Sequence, residues 1–129
     1  MMFTPIKTDA DIRIFLDKTN SLHDGYLVGV QYVNNGISEV PHGHSFHPEQ
    51  TKLVLRILVT SMWDRIVEIE FENLLEWQIK DGQMDITDTT VMFDAHNCVI
   101  WSDDVYINMN ELKKGSYVIA KSMRWRIVE

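Results

Sequence analysis

Between Leu53 and Phe71 apolar and polar side chains alternate with a period of two, and this pattern constrains the fold more than any other feature of the chain. Leu53, Leu55, Ile57 and Val59 fall on one face of a predicted strand, and Val67, Ile69 and Phe71 on one face of the next, with Thr60 to Asp64 between them. If the turn centres on Met62, Ile57 lies opposite Val67, Leu55 opposite Ile69 and Leu53 opposite Phe71, while Arg56 meets Glu68 on the other face. A slip of one residue would drive Glu68 and Glu70 into the core, so pattern and charge select one register.

The rest of the chain extends this theme. Thr8 and Asp11 have capping-box spacing, and Ile12, Phe15, Leu16 and Thr19 recur at helical steps, which predicts one short N-terminal helix ending near Lys18. Tyr26 to Val33 reads as a strand closed by Asn34-Asn35-Gly36. Pro41 to Pro48 reads as an exposed loop, because proline removes backbone donors and restricts its predecessor. Leu74 to Lys80 is read as a strand ending at a reversal, Asp81-Gly82. One further hairpin joins Thr89–Phe93 to Cys98–Trp101 through Asp94 to Asn97. Another joins Val105–Met109 to Tyr117–Ile127 through Lys114-Gly115, with Tyr117, Ile119, Met123, Trp125 and Ile127 sharing a face with Lys121. The expected fold is α+β, mainly antiparallel β, a sandwich or partly open barrel with one short N-terminal helix, forming a single domain over residues 1–129.

Charge is uneven along this frame. Of a net −7, eleven acidic side chains stand between Ile66 and Glu111 against Lys80 alone, whereas Lys113, Lys114, Lys121, Arg124 and Arg126 follow. Nucleic acid is therefore excluded as the expected partner, since phosphate binding requires a net basic surface. A basic protein suits the acidic segment, with Glu68, Glu70, Glu72, Asp103 and Asp104 as candidate contacts. Trp63 joins them as the tryptophan placed in a turn, while the other three are expected in the core. The sequence shows neither a signal peptide nor an apolar run long enough to span a membrane, and Cys98 is the single cysteine, which points to the cytoplasm.

Chemistry has few candidates. His42, His44, His47 and Glu49 lie within eight residues, and imidazole with carboxylate suits a first-row divalent metal, while Asp94, Asp103 and Asp104 have the oxygens for calcium or magnesium but read as solvated turn residues. His23 and Asp24 are adjacent, and in extended chain they point oppositely, which predicts local structural roles: Asp24 capping a turn and His23 bonding nearby backbone. There is no Gly-x-Ser-x-Gly, the six glycines are scattered, and Cys98 sits in an apolar strand, so the residues argue against an enzyme.

Two resemblances follow. Gly36, His42, His44 and Glu49 are spaced as in the first half of a cupin metal motif, which implies a metal-binding β-barrel enzyme or sensor; no second motif follows, as no proline occurs after Pro48. Over more of the chain, Leu22-His23-Asp24, Leu53-Val54-Leu55, Val67 to Phe71, Ile119-Ala120-Lys121 and Trp125-Arg126 resemble small bacterial domains that include immunity proteins of polymorphic toxin systems. That resemblance implies a non-enzymatic protein that binds and blocks a toxin, and it transfers no active-site residues. A homodimer is compatible with either reading.

Overall fold

The computed structural model describes residues 2–80, 85–105 and 108–128. In chain order its elements are β1 (Thr4–Ile6), α1 (Asp9–Lys18), β2 (Gly25–Asn34), β3 (Ile37–Val40), β4 (Gly43–Phe46), β5 (Thr51–Val59), β6 (Arg65–Gln78), β7 (Asp85–Ile86), β8 (Thr90–Phe93), β9 (Val99–Ser102), α2 (Met109–Leu112) and β10 (Tyr117–Val128). Every described strand pair is antiparallel, and the main sheet runs β7-β2-β5-β6-β10-β9-β8, with β1 also on β10. The result is an α+β fold, mainly antiparallel β, in which one sheet curls into a half-barrel.

The register of β5 on β6 is the one the alternation selects: Leu53 opposite Phe71, Leu55 opposite Ile69, Ile57 opposite Val67, Arg56 opposite Glu68. All six apolar members of these pairs are fully buried and form the centre of the core. At about 25 cal/mol per Å² of apolar surface removed from water, such side chains contribute roughly 1.5–3 kcal/mol each. Helix α1 covers the inner face of the sheet. Thr8 Oγ1 accepts from Asp11 N while Asp11 Oδ2 accepts from Thr8 N, completing the capping box, and Phe15 meets Trp125 edge-on at 5.3 Å between ring centroids.

Three sequence expectations need correction. Pro41 to Pro48 is not a loop throughout: Gly43–Phe46 pairs with Ile37–Val40 as a separate two-stranded ribbon, because prolines 41 and 48 stand just outside the paired residues and cost no ladder bond. The hairpin between Val105–Met109 and β10 does not form. Val105 lies outside any strand and Met109 opens α2, whose first turn Asn108 caps by accepting from Glu111 N; Tyr106 and Ile107 lie outside the described residues, as does the Asp81-Gly82 reversal. β10 pairs instead with β6 along one edge and with β9, then β1, along the other.

The third correction concerns which side chains of β10 share a face. The ladder with β6 shifts register between Ile119 and Ala120, and Asn73 there takes a left-handed φ of 58°. Val118 and Ala120 enter the main core, and beyond exposed Lys121 and Ser122 it is Met123 and Trp125 that do. Tyr117 and Ile119 turn to the opposite face, where they form a second core with Cys98, Ile100 and Leu112. Lys121, at the point of exchange, is exposed.

Candidate partner-binding surfaces

The outer face of the central strands carries an ordered block of charge. Glu68 accepts from Arg56 Nη1 at 2.6 Å and from Arg126 Nη2 at 2.9 Å. Glu70 accepts from Arg124 Nη2 at 2.9 Å and pairs with Lys52 Nζ at 2.8 Å, and Glu72 lies 3.7 Å from Arg124. β6 supplies the acids and its two neighbours the bases, as the registers Lys52–Glu72, Arg56–Glu68 and Arg124–Glu70 require. Phe3 caps the block, its ring 4.5 Å and 4.4 Å from the Arg124 and Arg126 guanidinium carbons. Burial alone would raise the Glu70 carboxyl, but the bonds from Arg124 and Lys52 outweigh it and hold the group below the ordinary glutamate range.

Of the acidic residues proposed as partner contacts, Glu68 and Glu70 are therefore withdrawn from solvent, 7% and 4% exposed, and neutralised within the chain. Arg56 was legible as the partner of Glu68, but the count of acids could not register Arg124 and Arg126, which lie 54 and 58 residues from the carboxylates they neutralise. Glu72 remains half-exposed at the edge of the block. Trp63 is 93% exposed in a left-handed turn after the Thr60–Met62 helical turn, and Trp101 and Trp125 are buried as expected. Trp77 is not: it is part-exposed and stacks on Tyr32 with centroids 5.7 Å apart.

Acidic charge gathers instead around a cleft of about 390 Å³. Asp85, Asp103, Asp104 and Glu111 line it with Lys114, over a floor that includes Ser102, Leu112 and Gly115. Asp103 is fixed by accepting from Ser116 N through Oδ1 at 3.1 Å. Burial pushes its carboxyl above the ordinary aspartate range, and the neighbouring Asp104 adds to the rise. Asp104 Oδ1 accepts from Val105 N at 2.7 Å. Asp103 and Asp104 were legible in the sequence; Asp85 and Glu111 were only part of a charge count, since the fold brings them there from β7 and α2.

The histidines do not converge. Among the described residues no group of three or more His, Cys, Asp or Glu side chains is placed to hold a metal ion. His44 stands opposite Glu39 in the ribbon, while His47 Nε2 lies 3.3 Å from Ser38 Oγ and its Nδ1 lies 3.6 Å from Glu49. His44 lies in β4 and His47 just past it, three residues on, an odd spacing that in extended chain puts the two rings on opposite faces of the ribbon.

His23 and Asp24 do act together, contrary to the extended-chain argument. Asp24 takes a left-handed φ of 56°, which swings its carboxylate to 3.6 Å from His23 Nε2. His23 Nδ1 lies 2.6 Å from the Thr87 carbonyl oxygen, 64 residues away, so its backbone partner is distant and not local. The Thr87 bond first, then the charges of Asp24, Asp88 and Asp85, raise the imidazole above its ordinary range. The Asp24 carbonyl accepts from both Thr60 N and Thr60 Oγ1, tying this turn to the β5–β6 connection.

No family model, no curated protein and no solved structure matches this chain. Among the described residues no helix is long and apolar enough to cross a membrane.

Proposed function

We propose that this chain is a non-enzymatic protein-binding domain, immunity-like in its mode of action, that holds a basic partner at the acidic cleft between β7, β9 and α2. The observation that carries the reading is the division of the acids. Those of β6 are matched by Arg56, Arg124, Arg126 and Lys52, whereas Asp85, Asp103 and Asp104 gather at the cleft beside Lys114. A lysine or arginine side chain entering that cleft gains Coulomb attraction from several carboxylates in a partly desolvated space, where charge complementarity sets both encounter rate and specificity.

The test uses a lysine-rich peptide as probe and the full chain immobilised. Binding should weaken steeply between about 50 and 300 mM salt, as screening shortens the reach of the cleft's field. The pair Asp103→Asn with Asp104→Asn retains the oxygen acceptors for Ser116 N and Val105 N but removes two charges, and should weaken binding about tenfold, which corresponds to about 1.4 kcal/mol. Binding indifferent to salt and to both substitutions overturns the proposal.

A further inference from the structure

β2 runs into β3, and β4 into β5, so the four strands are one long ribbon with a bend. Two residues, Asn35 and Gly36, stand opposite four, His47 to Gln50, of which Pro48–Gln50 form a helical turn. Asn35 N donates to the Gln50 carbonyl and His47 N donates to the Gly36 carbonyl at 2.7 Å, so the bend is hydrogen-bonded and fixed. The mismatch directs β3–β4 away from the half-barrel as an arm, and all its strand residues except half-buried Ser45 are exposed.

An isolated two-stranded ribbon is marginally stable in water. This one also leaves Ile37, Val40 and Phe46 exposed, with Ile37 and Phe46 opposite each other on one face. At the arm's root Tyr32 stacks on Trp77 beside Val30, and all three are exposed too. Val30 and Tyr32 pair with Leu55 and Leu53, which places them on the core face of the sheet at its uncovered end. The chain thus carries both a projecting apolar element and an open aromatic platform that its own arm does not cover.

We infer that these two surfaces meet in a homodimer, the arm of each copy lying on the Val30–Tyr32–Trp77 platform of the other. A two-fold axis makes such an exchange self-complementary, each copy contributing one arm and one platform. Charge permits it despite the net −7, because Gly25–Asn34 contains no acidic or basic residue and the single acid of the arm strands, Glu39, faces His44.

Sedimentation velocity of the purified full chain, from about 1 to 100 μM, tests the inference. The expected result is a species of twice 15.1 kDa. Ile37→Glu with Phe46→Glu on the arm, and separately Val30→Lys on the platform, should each yield monomer with an unchanged far-UV circular dichroism spectrum. Ile14→Glu, on the exposed side of α1, should leave the dimer intact. A wild-type monomer at every concentration overturns the inference, whether or not another protein binds the arm. So does a dimer that persists in either correctly folded variant; if one variant fails to fold, the other decides.

Discussion

Replacing Glu68 by Gln isolates what the charge block contributes. The substitution preserves shape and one acceptor oxygen but removes the charge that two guanidinium groups share at 2.6 and 2.9 Å. Charge-assisted bonds of this kind are worth about 1.5–3 kcal/mol each when the donor is dry. Here the side chains of Arg56 and Arg126 are 44% and 31% exposed, so both can turn partly to water, and solvent screening reduces the loss. We expect a destabilisation of about 2 kcal/mol, between a surface pair and a fully buried one. For a chain of this length that lowers Tm by about 8 °C. Urea unfolding monitored by circular dichroism should show the midpoint shift with unchanged slope. In a double-mutant cycle with Arg56→Met, a coupling of about 1 kcal/mol is expected. A loss below about 0.3 kcal/mol, or a coupling near zero, would show that the block is an ordinary screened surface network and refute the reasoning.

Further outcomes follow from the same structure. His23 gains affinity for its proton on folding, so its contribution to stability is fully present at pH below the unfolded histidine value of about 6.5 and is lost as pH rises through the higher folded one. His23→Gln should flatten the pH dependence of the unfolding midpoint in that window, and a profile identical to wild type would contradict the Thr87–Asp24 arrangement. Glu70 behaves oppositely: its depressed carboxyl stabilises above the ordinary glutamate range, and that contribution is lost as pH falls through the folded value. Gly36→Ala would place a Cβ 2.1 Å from the His47 carbonyl oxygen, a contact backbone cannot relieve without moving. It should destabilise by more than about 1 kcal/mol and weaken self-association, as read by unfolding and sedimentation.

What was legible in the sequence was whatever local periodicity determines. The β5–β6 register was readable because two independent signals, greasy alternation and the Arg56–Glu68 match, fall on opposite faces of the same pairing. The α1 cap was readable because Thr8 and Asp11 interact over a single turn. Long-range events were not. The irregular stretch of β6 that includes the register shift and left-handed Asn73 accompanies an exchange of faces along β10, and period-two counting cannot foresee a residue that breaks the period. The count of acids between Ile66 and Glu111 was correct, yet besides Arg56, whose place opposite Glu68 was readable, Glu68 and Glu70 are consumed by Arg124 and Arg126, which the fold brings alongside from β10. The histidine stretch looked like a ligand set only while its backbone was taken as loop; pairing of β3 with β4 distributes those rings along a ribbon.

On the proposed function, the acid that holds a partner lies at the cleft and not along β6. Isothermal titration with the lysine-rich peptide, comparing Asp103→Asn with Asp104→Asn against Glu68→Gln, tests it most directly. About tenfold weaker affinity is expected for the cleft pair, and wild-type affinity for Glu68→Gln at a temperature where that variant is folded. Wild-type affinity in the cleft pair together with a loss in Glu68→Gln would contradict it.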